Sequence, residues 1–160
     1  MATVAAASGY SRMAVYRHFG SRAGLLTALL GHIDQVEGAE AAVREILTEP
    51  TAAKSIEGLF TWWAGYVPQF AGIARGVLAA KHADADLRAA WDSRMRDLRR
   101  VCDLVAERCS RESDSTENLA DTLWVLVSVP LWIQLSDDGW EIDRYRETMK
   151  RLALAALTKS

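Results

Sequence analysis

The sequence has few residues that interrupt or cross-link a chain: only three prolines and two cysteines among 160 residues. Cys102 and Cys109 would lie about 10.5 Å apart along one helix, beyond the roughly 7 Å Cα limit for a disulfide, so we expect both to be reduced packing residues. Alternation of apolar and polar residues at period two is also missing, which argues against half-buried β-strands. Alanine, leucine and arginine instead fill long stretches between sparse breakers, which predicts an all-α fold.

Long uncharged apolar runs are absent as well. The two longest stretches without a charge are residues 58–74, interrupted by Gly65 and Pro68, and residues 122–136, interrupted by Pro130. A membrane helix needs about 20 apolar residues, and no basic segment followed by an apolar one marks a secretion signal. We therefore expect a cytoplasmic protein with no membrane partner.

Acidic residues are missing from the first part of the chain. Residues 1–33 contain three arginines and no acid, although the whole chain has a net charge of -2. Only this segment is suited to a polyanion such as DNA. Half of all residues are hydrophobic, which is enough for the remainder to form a folded helical body.

Serines and glycines mark the ends of the first predicted helices. Ser11 and Ser21 are expected N-caps, and Gly20 is expected to end the helix between them. Together with a short helix over residues 2–8 and a turn at Gly9, these elements predict a helix-turn-helix.

Helical spacing continues through the rest of the chain. We expect residues 40–47 to extend the third helix, and a largely apolar helix to open at Pro50 and to end or kink at Pro68, Gly72 and Gly76. The expected later elements are a long amphipathic helix over residues 87–109, a polar loop over residues 111–116, an apolar helix over residues 117–136 and a final helix from Ile142.

The second helix of the predicted helix-turn-helix has two different faces. Val15 and Phe19 are four residues apart and face inward, whereas Met13, Tyr16 and Arg17 fall on the outward side. An outward aromatic residue beside cations suits a DNA groove. Taken alone, such a face is more often an ordinary solvated surface.

The segment Ser11 to Arg22, with the sequence SRMAVYRHFGSR, followed by Leu25 and Leu26, resembles the DNA-binding signature of TetR-family transcriptional regulators. A Tyr-x-His-Phe element, a Ser-Arg pair and a leucine pair all occur at the spacing of that family. The closest part of the resemblance covers about residues 3–30. It implies an all-helical homodimer with an N-terminal DNA-binding headpiece and a body that binds a small effector.

The resemblance also implies a domain organisation. A helix-turn-helix headpiece is expected at residues 1–33 and an effector-binding and dimerisation domain at residues 34–160. Family members have a further helix before Val4, and the sequence begins at Met1, so the headpiece is expected to be truncated at its N-terminus. We therefore expect residues 1–20 to be loosely held and operator binding to be weaker than in a version extended upstream.

By position in the family signature, some residues are expected to touch DNA. The residues expected at base edges are Arg12, Met13 and Ala14. Those expected on or near phosphates are Tyr16, Arg17, His18 and Arg22, while Ser11 caps the helix and reaches the DNA backbone.

Bulky residues of the middle helices predict a cavity for a small apolar effector. Its expected lining is Trp62, Trp63, Tyr66, Gln69, Phe70, Trp91, Met95 and Trp124, with Gln69, Arg75 and His82 as polar contributors. Taken singly, these aromatic residues are also typical of a plain core or a dimer interface. Residues 117–159 are expected to form the homodimer interface because their apolar surface is large.

The predicted function is a ligand-responsive transcriptional regulator, most often a repressor in this family, that a small apolar effector releases from operator DNA. One alternative is a helical dimeric module that binds a ligand or a protein and no longer binds DNA. A small helical enzyme is a further alternative, but the sequence contains no clustered catalytic set and no phosphate-binding loop. No enzyme activity, metal or cofactor is therefore predicted.

Overall fold

The computed structural model describes residues 9, 11–112 and 118–157, and all regular structure there is helical, which confirms the all-α fold class. Residues 2–8, the predicted first helix, lie outside the described residues, as does most of the predicted loop over residues 111–116. The helices of this part of the chain are α1 (Arg12–Phe19), α2 (Arg22–Val36), α3 (Ala39–Thr48), α4 (Ala52–Ala80), α5 (Ala85–Ser110), α6 (Leu119–Leu126), α7 (Val129–Asp137) and α8 (Ile142–Leu157).

Helix α4 is the central element of the fold. It packs against α2, α3, α5, α7 and α8. Its fully buried aromatic residues belong to one core that continues into α5, α6 and α8: Phe60, Trp63, Tyr66 and Phe70. A helix with neighbours on several sides has no wide polar face, as the sequence predicts for this segment.

The predicted caps of the first helices are confirmed. The backbone N–H of Ala14 donates to Ser11 Oγ at 3.1 Å, and that of Gly24 donates to Ser21 Oγ at 3.0 Å. Gly20 ends α1 with a φ of 71°, a left-handed conformation that glycine adopts without steric cost.

The expectation that α4 ends or kinks at Pro68, Gly72 and Gly76 is wrong in its first part, because the helix runs past all three residues to Ala80. A proline inside a helix costs about 3 kcal/mol, since it removes one hydrogen bond and crowds the preceding turn. Here Pro68 lies on the exposed side, while Val67, Phe70 and Ala74 are buried against neighbouring helices. Burial of large apolar side chains contributes about 1.5 to 3 kcal/mol each and offsets that cost.

Two helices predicted as continuous are divided. Residues 40–47 do not extend α2, because Gly38 adopts a φ of 58° and starts α3 as a separate helix. The apolar segment over residues 117–136 forms α6 and α7, which are bent by 42° at a short break. Ser128 caps α7 and Pro130 occupies its first turn, where the missing N–H of proline has no helical partner to lose.

None of the described helices is long and apolar enough by itself to cross a membrane. Only α6 and α7 taken together reach that length and composition, and the bend of 42° separates them.

Part of the apolar surface expected at a dimer interface lies inside the protomer. Leu123 and Val127 are fully buried and Met149 is 5% exposed, because α6 and α8 pack against each other and against the core. The monomer therefore buries more of residues 117–159 than their composition suggests. Leu152 and Val125 remain exposed, at 48% and 59%.

Both cysteines are free and buried, as the sequence predicts. Burial raises the pKa of the Cys102 thiol to about 12 and that of Cys109 to about 11. Thiols of this kind are protonated at neutral pH and act as packing groups.

A buried hydrogen-bond chain joins α4, α6 and α8. The indole Nε1 of Trp63 donates to the Tyr145 hydroxyl at 3.2 Å, and that hydroxyl donates to the backbone carbonyl of Leu126 at 2.5 Å. Leu126 is the last residue of α6, so Tyr145 satisfies a helix-end carbonyl that lacks a partner within the helix. Burial raises the pKa of Tyr145 to about 12, so the hydroxyl remains a donor.

Replacing Tyr145 with phenylalanine removes only an oxygen and leaves two buried polar groups unpaired. We expect Tyr145→Phe to lower the free energy of unfolding by about 1 to 3 kcal/mol, the cost of unsatisfied buried groups. Urea denaturation followed by circular dichroism measures this. Tyr16→Phe, at an exposed tyrosine, is the matched control, and equal stability of the two variants would refute the importance of the chain.

The C-terminal end of α5 is fastened to the start of α4 by Glu112. Its Oε2 accepts from the backbone N–H of Ala52 at 2.8 Å, and its Oε1 lies 2.7 Å from Nη1 of Arg108. Arg108 in turn donates to the carbonyl of Glu49 at 2.7 Å. The Ala52 N–H first and Arg108 second lower the pKa of Glu112 below its ordinary value of 4.5.

This lowered pKa predicts a pH dependence of stability. Because the folded state favours ionised Glu112, its contribution is present above the unfolded pKa of 4.5 and is lost as the pH falls through the lower folded value. We expect Glu112→Gln to be less stable than the wild type at neutral pH, with a difference that shrinks on acidification. Urea midpoints across a pH series measure this, and a gap that widens toward low pH would contradict it.

Candidate functional site

Helix α1 presents one exposed face and one buried face. Met13 is 76% exposed and Tyr16 is 38% exposed, whereas Val15 is 5% exposed and packs inward. Arg17 and His18 have exposed side chains at the end of the helix. The outward face of α1 therefore combines an aromatic ring, an apolar side chain and a cation, without any acidic residue.

Helix α2 packs against α1. Leu25 and Leu26 are buried, and Arg22 lies exposed at the first position of α2. A Cβ atom built on Gly24 would stand only 2.1 Å from the carbonyl oxygen of Phe19. The two helices therefore approach so closely that only glycine fits at this position without a backbone shift.

The far end of α2 borders a cleft of about 400 Å3, here called the aromatic cleft. Helices α2, α3, α4 and α5 all contribute to it. Its lining combines aromatic rings, aliphatic side chains and four charged residues: Asp34, Ala39, Glu40, Val43, Trp62, Trp63, Tyr66, Phe70, Arg94, Met95, Asp97, Leu98 and Val101. This volume and composition are typical of small-molecule sites in proteins.

Three polar side chains of the aromatic cleft form one network. Arg94 Nη1 and Nη2 donate to Asp34 Oδ2 and Oδ1 at 2.9 and 2.5 Å, a bidentate ion pair. The Tyr66 hydroxyl donates to Asp34 Oδ1 at 2.9 Å and accepts from Arg94 Nη2. The network joins α2, α4 and α5, so it fixes the end of α2 against the body.

The network has a defined charge state at neutral pH. Burial raises the pKa of Tyr66 to about 12, with Asp34 adding to this effect and Arg94 opposing it. Desolvation alone would lower the pKa of Arg94, but Tyr66 and Asp34 together raise it. The phenol therefore stays neutral and the guanidinium stays charged.

A second cleft of about 380 Å3 lies on the other side of α5 and shares Met95 and Leu98 with the aromatic cleft. Trp91, Trp124 and the first turn of α7 line it. Among the described residues that line it, Lys81 alone is charged, and its Nζ lies 5.6 Å from the centroid of the Trp91 ring.

A comparison with known protein families finds a match for the N-terminal segment that carries this surface. The family described as bacterial regulatory proteins, tetR family, matches residues 1–29, the segment that contains α1, its caps and the first half of α2. Residues 1–29 are therefore similar to the N-terminal segment of these regulators. No curated protein and no solved structure matches the chain significantly, so the assignment rests on this segment.

Most of the predicted DNA-contacting residues lie on the outer surface of α1 and at the start of α2. The exposed ones are Ser11, Met13, Tyr16, Arg17, His18 and Arg22. Ala14 is half-buried, and the side chain of Arg12 lies outside the described part of the structure. Contact of these residues with DNA stays a prediction.

The residues predicted to bind an effector are divided between the two clefts. Trp62, Trp63, Tyr66, Phe70 and Met95 line the aromatic cleft, and Trp91, Met95 and Trp124 line the second cleft. Gln69 and His82 are exposed and line neither cleft, and Arg75 pairs with Asp137 on the surface at 2.5 Å. Ligand binding at these residues stays a prediction.

Asp34 and Arg94 are polar groups of the site that the sequence patterns did not predict. One signal was available for Arg94, which lies between Trp91 and Leu98 on the apolar face of its helix. An arginine at such a position needs an anionic partner. Nothing in the sequence indicates that Asp34, 60 positions away, is that partner.

A double-mutant cycle on Asp34 and Arg94 measures the strength of their pairing. With side chains only 31% and 21% exposed, we expect Asp34→Asn and Arg94→Gln to be coupled by about 1 to 3 kcal/mol in unfolding experiments. The matched control is the more exposed pair Arg75 and Asp137, for which coupling below about 1 kcal/mol is expected. Additive effects at Asp34 and Arg94 would contradict the prediction.

Proposed function

We propose that this chain is a TetR-family regulator that responds to a ligand and acts as a repressor. In this proposal a homodimer binds operator DNA through α1 and is released when a small apolar molecule occupies the aromatic cleft. The observation that carries the proposal is that one helix, α2, borders both sites: its first turns pack on α1, and Asp34 near its end joins the network of the aromatic cleft.

Helix α2 is suited to transmit a movement. Asp34 lies eight residues beyond Leu26, or about 12 Å along the helix at 1.5 Å per residue. The close approach of Gly24 to Phe19 leaves little freedom between α1 and α2. A ligand that alters the pairing of Asp34 would therefore move α1 together with α2, as a rigid unit.

The proposed DNA contacts follow the family signature. Arg12, Met13 and Ala14 reach base edges in the major groove, and Ser11 contacts the DNA backbone. The residues proposed on phosphates are Tyr16, Arg17, His18 and Arg22. In a dimer the two recognition helices enter successive major grooves about 34 to 36 Å apart, so that a small change in their spacing abolishes binding.

The proposed dimer interface lies within residues 117–159. It is supported by the exposed apolar side chains of Leu152 and Val125, and by half-buried Leu131, Leu135 and Ala156 at the edge of the core. Burying such apolar side chains against a second copy of the chain is energetically favourable. A symmetric arrangement of two copies also matches the two half-sites of an operator.

The proposal is tested by titrating the protein with a labelled duplex that it has selected from random sequences, at several salt concentrations. We expect the logarithm of the affinity to fall linearly with the logarithm of the salt concentration. Arg17→Ala and Arg22→Ala should each weaken binding and reduce that slope by about one.

The matched control for these variants is Arg88→Ala, at an exposed arginine of α5 outside the segment that matches the family. It should bind DNA like the wild type. An affinity that is independent of salt, or equal losses in Arg88→Ala and Arg17→Ala, would refute the assignment of α1 as the DNA-binding helix.

A further inference from the structure

We propose that α4 bends over residues 65–76 and that this bend changes the shapes of the aromatic cleft and the second cleft together. Such a conformational device goes beyond the proposed function, because it requires neither DNA nor a ligand. Its support comes from four residues on one side of α4, from their surroundings and from the position of the segment between the two clefts.

Few side chains cover the exposed side of this segment. Gly65, Pro68, Gly72 and Gly76 are all exposed, and their helical spacing places them on one face of α4. Glycine is the poorest helix former after proline, because its backbone loses the most conformational freedom. Pro68 has no backbone N–H, so the carbonyl of Ala64 receives no helical hydrogen bond from it. The four residues therefore weaken the helix along one short stretch.

The three glycines of this segment are not required by packing against the rest of the described structure. A Cβ atom built on any of them would have no atom of the described residues within 4 Å, and none of them has a positive φ. Alanine would therefore fit at each position and would form a more stable helix. Gly58 differs, because its Cβ would stand 3.2 Å from Cγ1 of Ile46 on α3. Close packing explains Gly58 but not the three later glycines.

The opposite side of the segment is held by the core. Its buried residues are Tyr66, Val67, Phe70, Ala74 and Val77. At the edge of the exposed side, Arg75 pairs with Asp137 of α7, but both side chains are about half exposed and such pairs are weak. The segment therefore depends on tertiary packing from one side, and it can bend when that packing changes.

Helix α5 provides a contrast within the same molecule. It has 26 residues against 29 in α4, and it contains neither glycine nor proline. A long helix in this fold therefore needs no such interruptions. Their concentration between residues 65 and 76 is a property of α4 alone among these two helices.

The segment lies between the walls that α4 contributes to the two clefts. Tyr66 and Phe70 line the aromatic cleft, whereas Leu78 and Lys81, at the end of the helix, line the second cleft. A bend between these pairs would move one wall relative to the other. A change in the shape of one cleft would therefore be accompanied by a change in the other.

The bend is tested by measuring the distance between two spin labels with pulsed electron paramagnetic resonance. Thr61→Cys and Ala79→Cys place the labels at exposed positions on either side of the segment, about 27 Å apart along a straight helix at 1.5 Å per residue. The native Cys102 and Cys109 are buried and protonated at neutral pH, so they react slowly with the label. Dilution with unlabelled chain removes distances between copies.

A second label pair on α5 is the matched control. Ala89→Cys and Glu107→Cys are exposed and have the same separation along the chain as the α4 pair. We expect the distance distribution of the α4 pair to be at least about twice as wide as that of the α5 pair, because only α4 bends.

Replacing the three glycines with alanine should stiffen the segment. In the triple variant Gly65→Ala, Gly72→Ala and Gly76→Ala, we expect the α4 distribution to narrow to about the width of the α5 control. Amides of residues 69–80 should exchange with solvent at least about fivefold more slowly than in the wild type, with those of α5 unchanged. Gly58→Ala, at the glycine that packing requires, should produce neither change.

Two results would refute the bend. One is an α4 distribution as narrow as that of α5 in the wild type, and the other is an equally wide distribution in the triple variant. A triple variant that loses association in sedimentation analysis would show that the glycines contact a second copy, which would also overturn the proposal. None of these measurements involves DNA, so failure here is distinguishable from failure of the proposed function.

Discussion

The ion pair between Asp34 and Arg94, completed by the Tyr66 hydroxyl, is the interaction on which the proposed function of this structure depends. A charge that is only partly exposed must be paired, since removing one partner leaves the other desolvated and uncompensated. Arg94 lies on the apolar face of α5 between Trp91 and Leu98, so the position of α2 is determined in part by the need to bring Asp34 to it. The C-terminal end of α2, the helix that contacts α1, is therefore held in place by an ion pair in the wall of the aromatic cleft.

The packing of the core around the Asp34–Arg94–Tyr66 network restricts how α2 can move relative to the body. Helix α4 is buried on several sides and supplies both the Tyr66 hydroxyl and the aromatic walls of the cleft. Trp63, which also belongs to α4, donates a hydrogen bond to the Tyr145 hydroxyl, and that hydroxyl donates to the last carbonyl of α6. Packed helices of this kind do not deform continuously but shift between discrete arrangements. In the proposed function, a ligand that competes for the cleft would therefore shift α2 without unfolding the body.

Sequence patterns were informative wherever a local rule decides the structure. The caps at Ser11 and Ser21, the helix end at Gly20 and the amphipathic helices α5 and α8 follow from side chains within a few residues of one another. Local rules failed at Pro68, because burial along α4 outweighs the cost of an interior proline. They also could not foresee that α5 would separate Trp62 from Trp124 into two clefts, since this depends on how helices cross.

The most direct test of the account is the operator affinity of Asp34→Asn compared with that of the wild type, in the absence of any ligand. Asp137→Asn, which breaks the surface pair with Arg75, is the matched control. If the network holds α2 in the position that DNA binding requires, Asp34→Asn should weaken operator binding by about tenfold, equivalent to about 1.4 kcal/mol, while Asp137→Asn leaves it unchanged. Unchanged operator affinity in a folded Asp34→Asn protein would contradict the claim that the aromatic cleft and α1 are linked through α2.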